Sequence, residues 1–140
     1  MADTVTSSSS AMSVAASALK AQEARMRVIA ENLANADSTS KTPGGDPYRR
    51  QVPVFEPQSV AGGAEGVKMT RVQADQTPFK SEYDPGNPAA DASGYVKMPN
   101  VDPLIEALDM REAQRAYEAS LNVIEASRDM QSRTLDLLNK

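Results

Sequence analysis

The chain contains no cysteine and no histidine. Without cysteine there is no disulfide, no thiolate nucleophile and no thiolate metal site, which fits work outside the cytosol without oxidative folding. Without histidine the usual general base near neutral pH and the commonest metal ligand are gone. Aromatic residues are scarce: Tyr48, Phe55, Phe79, Tyr83, Tyr95 and Tyr117. All but Tyr117 lie in the middle of the chain. The aliphatic, Ala-rich ends can therefore build only a narrow seam, not a thick interior. There is no run of five or six like charges, and 15 basic against 19 acidic residues give a net charge of −4. That balance argues against a phosphate-backbone binder, so no nucleic-acid partner is expected. No apolar run approaches the roughly 20 residues of a membrane span, so no direct membrane insertion is expected. The polar start, Met-Ala-Asp-Thr-Val-Thr-Ser-Ser-Ser-Ser, lacks the charged and apolar regions of a cleavable secretory signal. A chain with this start would leave the cytoplasm by a route that cuts no such signal.

Glycine and proline divide what remains into three parts. All seven glycines and eight of the nine prolines lie between Lys41 and Pro99, and Pro103 stands where a helix would begin. Both residue types disfavour helix interiors. The ends can be helical, while the middle cannot be one long helix. Residues 1–10 are polar and Ser-rich and are expected to be mobile in a free subunit. A first helix is predicted over 11–35, with Ser10 as N-cap. Met12, Leu19, Met26 and Leu33 recur every seven residues along it, and Ala15, Ile29 and Ala36 add a second seam position that Gln22 interrupts. A second helix is predicted over 102–138, opened by Asp102 as N-cap and Pro103 in the first turn. Its apolar band includes Ala116, Val123, Met130 and Leu137, beside Tyr117, Ile124 and Leu138. Spacing of this kind marks a coiled-coil seam, and a stripe two positions wide can face two partners.

Residues 36–101 read as turns and short strands. Gln51–Phe55, Val67–Gln73, Phe79–Tyr83 and Gly94–Met98 are the extended candidates, with Pro53 confining the first to a sheet edge. The fold class expected is mainly α: two long terminal helices in a coiled-coil-like pair, with a Pro/Gly-rich middle of short strands and loops. The helices 11–35 and 102–138 would form an inner helical domain and 36–101 an outer β/loop region. About a dozen residues of the longer helix would overhang the shorter one. Each fully exposed Leu or Ile there forgoes about 1.5–3 kcal/mol of burial, which an oligomer would recover.

Each motif has a plainer reading beside it. The seven-residue stripes also suit an ordinary helical hairpin. Asp84, Asp91 and Asp102 lack the spacing of a Ca²⁺ loop and read as solvated turn residues. No sequence feature sets two carboxylates across a cleft, so a glycan hydrolase is disfavoured. Arg49-Arg50 could contact an anion, but such a pair is more often a solvated strand edge. Met12, Met26, Met98, Met110 and Met130 are adaptable fillers that suit unequal neighbours. No catalytic residue, no cofactor and no metal site is expected.

Four stretches carry a family resemblance. Val28-Ile-Ala-Glu-Asn-Leu-Ala-Asn-Ala36 resembles the Asn-Leu-Ala-Asn signature of the flagellar rod and hook family, here Asn32, Leu33, Ala34 and Asn35. Pro47-Tyr-Arg-Arg-Gln-Val-Pro-Val-Phe55 and Asp109-Met-Arg-Glu-Ala-Gln-Arg-Ala-Tyr-Glu-Ala-Ser-Leu121 extend it. The stretch from Tyr83 to Val101, with Tyr83, Asp84, Pro85, Gly94, Tyr95, Pro99, Asn100 and Val101, is similar to the proximal rod proteins of the FlgC type. One departure is Asn87, where that type usually has His. The resemblance runs from about Met12 to Leu138 and implies a structural subunit of the proximal rod of the basal body, polymerising by helix packing into a drive shaft for motility. It implies passage through the flagellar type III export gate without a cleaved signal, and residence in a rod spanning the periplasm. The implied partners are other copies of the chain, the other proximal rod protein, the rod–ring adaptor, distal rod proteins and the export apparatus. Expected subunit-packing residues are Met12, Leu19, Met26, Ile29 and Leu33, then Tyr117, Leu121, Ile124, Met130, Leu135 and Leu138. The competing reading is a soluble coiled-coil adaptor or export chaperone outside the rod.

Overall fold

The structure, a computed structural model, describes residues 2–140. Helix α1 runs Ala2–Ala34, followed by strand β1 (Gln51–Ser59), a short 3-10 turn (Ala61–Gly63), β2 (Glu65–Ala74), β3 (Lys80–Tyr83), β4 (Tyr95–Met98) and helix α2 (Pro103–Leu138). About 51% of the chain is helical and 20% is strand, which corrects the mainly-α expectation. The antiparallel strands make up too large a share for a helical protein with decorated loops. Their segments are short, and each pairs with the strand next to it in sequence, β1 with β2 across the Gly62-Gly63 turn and β3 with β4 across residues 84–94.

Strands β1 and β2 form one two-stranded sheet and β3 and β4 another. In a two-stranded sheet every strand is an edge, so Pro53 is tolerated in β1. The first pair is antiparallel: the Asp75 N–H donates to the Arg50 carbonyl at 2.8 Å and the Val60 N–H to the Ala64 carbonyl at 2.9 Å. Its turn needs Gly62 and Gly63, whose φ values of 81° and 74° lie in the left-handed region. The second pair is antiparallel with Tyr83 opposite Tyr95 and Ser81 opposite Lys97.

Both helices are long, 33 and 36 residues, or about 50 and 54 Å. The first helix does not start at residue 11. Residues 2–10 form its opening turns, with Asp3 placed favourably for the helix dipole. The expected overhang of one helix past a shorter one is therefore absent. At the other end, the Asn35 side-chain amide donates to the Glu31 carbonyl at 2.9 Å and closes α1. The Asp102 carboxylate accepts the Leu104 and Ile105 N–H groups at 3.0 and 3.4 Å, which makes it the N-cap of α2.

Contacts divide the chain into two units. The first comprises Met1–Met26, Val54–Arg71 and Arg111–Lys140. Within it the helical segments are antiparallel: the buried Ser8 hydroxyl donates to the Ser127 carbonyl at 3.3 Å, and Arg25 lies 3.7 Å from Glu112. The buried residues of this unit are small: Ser8, Ala15, Ala21, Ala113 and Ser127. The tip of the β1–β2 hairpin lies against α1, where the Val67 N–H donates to the Ser17 hydroxyl at 3.2 Å. A Cβ on Gly66 would fall 2.3 Å from that hydroxyl, so only glycine fits. The second unit comprises Arg27–Pro53 and Val72–Met110. Its buried side chains include Val28, Ile29, Asn32, Pro47, Ala89, Val96, Pro99, Val101 and Glu106.

The seam positions match the expected ones only in part: Ala15 and Ile29, from the second seam position, are among them, and Ser8, Glu106, Ser120 and Ser127 were not expected. Along α2 the inward series is Glu106, Ala113, Ser120 and Ser127, seven residues apart, each buried or half-buried. Along α1 it includes Ser8, Ala15 and Ile29 rather than Met12, Leu19, Met26 and Leu33, which are half-buried. Small side chains let two backbones approach closely, so they occupy the seam and leave the large apolar ones outside it.

Candidate assembly surface

The polar cluster of the second unit fixes the local geometry. Asn32 is only 1% exposed. Its carbonyl oxygen accepts the Tyr48 hydroxyl and the Gln51 N–H, both at 2.9 Å. Its amide donates to the Gln51 carbonyl at 2.8 Å and to Glu106 Oε2 at 3.4 Å. One side chain thus joins α1 to the start of β1 and to α2. Asn100 does similar work: it accepts the Arg50 N–H at 2.7 Å and donates to the Asp75 and Thr77 carbonyls at 3.0 Å.

Arg50 lies at the centre of the charges. Its Nε donates to the fully buried Glu106 carboxylate, its Nη1 to Asp75 at 3.2 Å, and its Nη2 lies 3.7 Å from Asp109. Burial alone would weaken the guanidinium charge, but Glu106 and Asp75 more than offset it and raise the Arg50 pKa. Hydrogen bonds from the Thr77 hydroxyl and N–H hold Asp75 below the usual carboxylate range; burial opposes this and Arg50 adds to it. Burial first, then Glu31 and Glu106, push the Tyr48 hydroxyl above its ordinary value, so it remains a donor to Asn32. Arg49 takes another path, its guanidinium 4.1 Å from the Phe79 ring centroid. Neither arginine is the solvated strand edge the sequence suggested. The partnership of Arg50 with Glu106 was also missed. Its one signal is that Glu106 stands on the same seven-residue series as Ala113 and Ser127.

The other feature is the set of large apolar side chains that α2 leaves exposed. Leu104, Ile105, Leu108, Leu121, Val123, Met130, Leu135, Leu137 and Leu138 are exposed, Leu135 and Leu138 each to 60%. Of the expected packing residues, Leu121, Met130, Leu135 and Leu138 fall in this group. Met12, Leu19, Met26, Leu33, Tyr117 and Ile124 are half-buried, and Ile29 is buried inside the chain. Of the motif residues, Asn32, Gly94, Pro99 and Val101 are buried, Leu33, Asn35 and Asn100 half-buried, and Ala34, Tyr83, Asp84, Pro85 and Tyr95 exposed. Among the described residues no group of three or more acidic side chains could hold a metal ion, and no helix is long and apolar enough to cross a membrane. The arrangement is suited to burial against other polypeptide.

Comparison with known proteins agrees. A family model described as "Flagella basal body rod protein" matches residues 12–40, and one described as "Flagellar basal body rod FlgEFG protein C-terminal" matches 92–137. Both helical ends thus carry the signatures of flagellar rod proteins. The flagellar basal-body rod protein FlgC of Agrobacterium fabrum is 51% identical over 131 residues, covering 93% of this chain and 94% of the relative. That of Salmonella typhimurium is 47% identical over 125 residues, covering 89% and 92%. That of Bacillus subtilis is 38% identical over 142 residues, covering 90% and 95%. The chain belongs to the FlgC family of flagellar basal-body rod proteins.

Proposed function

We propose that this chain is a structural subunit of the proximal rod, incorporated by helix packing and without catalytic activity. The observation that carries the reading is the exposure of large apolar side chains along α2, Leu104, Leu108 and Leu137 among them on the side away from the Ala113–Ser127 series, while the seam of the first unit uses Ala and Ser. Each such Leu gains about 1.5–3 kcal/mol when a neighbour covers it. In the assembled tube the helices would form the inner wall and the strand-bearing middle would face outward. Torque would pass through many packed helices. Neighbours would be further copies, the other proximal rod protein, the rod–ring adaptor and distal rod proteins. The chain would reach the periplasm through the flagellar export apparatus with no signal removed.

The test uses Leu108→Asp and Leu137→Asp. Both side chains are exposed, so the free subunit should keep its helical circular dichroism, while swimming and recovery in purified basal bodies should be lost. Normal swimming in both variants would overturn the reading of this surface. A deletion strain that still builds hooks would overturn the rod function itself.

A further inference from the structure

Within the first unit, a groove of about 540 Å³ runs between α1 and the β1–β2 hairpin, bordered by Ser13, Ser17 and Lys20 on one side and by Val60, Lys68 and Met69 on the other. A Cβ on Gly66 would meet the Ser17 hydroxyl, so that side of β2 faces α1, and Lys68, two residues further on, shares it. Lys20 follows Ser17 by one turn of α1. Both lysines are exposed, and neither forms an ion pair among the described residues. The groove thus combines apolar wall, from Val60 and Met69, with two ammonium groups that lack a counter-charge.

The same unit carries a complementary ridge on α2. Glu118, Leu121 and Glu125 lie within about 60° of one another around the helix axis, and Asp129 continues the row. All four are exposed. None of the three carboxylates forms an ion pair among the described residues, and Glu125 and Asp129, one turn apart, repel each other in the free subunit. The carboxylates lie on the side of α2 away from Ala113, Ser120 and Ser127, the side that meets α1. Ser13, Ser17 and Lys20 lie on the side of α1 away from Ser8 and Ala15. Groove and ridge therefore occupy opposite sides of one unit.

Shape and charge together select the occupant. The groove calls for a convex element with two free carboxylates and an apolar side chain between them. Asp46, Glu56 and Glu112 are already paired with cations. Asp91 and Asp102 hold backbone N–H groups. Asp37, Glu82 and Asp84 line a recess of their own, which cannot enter a groove. Asp3, Glu31 and Glu65 stand singly at the ends of α1 and the start of β2. The α2 row alone meets the requirement among the described residues. We infer that the Glu118–Leu121–Glu125 ridge of one copy seats in the Lys20–Lys68 groove of a second copy. The carboxylates meet the two ammonium groups, and Leu121 covers Val60 and Met69. Arg111 and Arg115 share the ridge's face, so two ridges could also pair with each other. That contact is two-fold and closes at a dimer, whereas ridge into groove is head-to-tail and repeats along a rod. The inference rests on the rod reading above.

The test reverses the charges in a strain lacking the parent chain. Lys20→Glu/Lys68→Glu and Glu118→Lys/Glu125→Lys are expressed separately; all four positions are exposed, so each purified subunit should keep its helical circular dichroism. Each should fall at least about tenfold in purified basal bodies, and one chain carrying all four substitutions should recover to within about twofold of the parent. A Lys68→Cys/Asn122→Cys chain, which keeps both glutamates, should give a disulfide ladder at multiples of 15.0 kDa in mildly oxidised basal bodies. Normal incorporation of either reversed chain overturns the docking, as does a folded fourfold chain that fails to recover. A dimer formed by Asn122→Cys alone shows two ridges in contact and overturns the groove as partner. Each of these outcomes leaves the rod function standing. Absence of the parent chain from basal bodies overturns the rod function, and the docking with it.

Discussion

Replacing Asn32 by alanine tests whether the Asn-Leu-Ala-Asn signature is a folding element. The side chain makes four hydrogen bonds, two of them to the backbone of Gln51. After truncation the Tyr48 hydroxyl, half-buried, can turn to water, and Glu106 keeps Arg50. The Gln51 N–H and carbonyl cannot move away. Leaving two such groups unsatisfied, at about 1–2 kcal/mol each for a half-buried position, gives about 2–4 kcal/mol. For a chain of this size that lowers the melting temperature by about 10 °C, at roughly 3–4 °C per kcal/mol. The assay is a thermal melt of the purified subunit followed by circular dichroism. Asn35→Ala is the internal comparison: Asn35 is half-buried and bonds only Glu31 and Ser38 at the helix end. It should cost about 1 kcal/mol or less. Equal melting temperatures for the two variants, or an Asn32→Ala shift under about 2 °C, would refute the reasoning.

Three further outcomes follow from the same unit. Glu106→Ala leaves Arg50 without its fully buried partner and should cost about 3–5 kcal/mol, whereas Glu106→Gln retains some hydrogen bonding and should cost less; urea denaturation measures both. Asp75 has a depressed pKa in the folded state, so its stabilisation is complete above the ordinary carboxylate value and is lost as pH falls through the folded one. Melts taken from about pH 5 to pH 2 should show a drop that Asp75→Asn reduces. Gly94→Ala meets both a left-handed backbone and the Tyr83 ring, and should cost about 1–3 kcal/mol, read as a lower melting temperature.

Local chemistry was legible in the sequence. Asp102 and Pro103 open α2 because a cap depends only on neighbouring residues, and the four strands fall on the four extended segments. Long-range choices were not legible. Residues 2–10 look like a flexible tail, yet Ser8 is buried, which only the opposing Ser127 explains. The most apolar stripe, Met12, Leu19, Met26 and Leu33, reads as the first seam position, whereas the buried residues Ala15 and Ile29 belong to the second. Periodicity identifies a stripe but not what will cover it. The Arg50–Glu106 pair was hidden for a related reason: a charge in the interior becomes visible only when its partner, 56 residues away, is in place.

The Ala and Ser seam of α1 and α2 has a consequence for cooperativity. Unfolding a single subunit uncovers little new grease, because most of the bulky side chains on α2 already face water. Heat-capacity change and urea sensitivity both scale with newly wetted apolar surface. A lone subunit should therefore melt more broadly and respond less to urea than a chain of this length with a filled core, and the transition should sharpen in the polymer, where loosening one chain strips cover from the next.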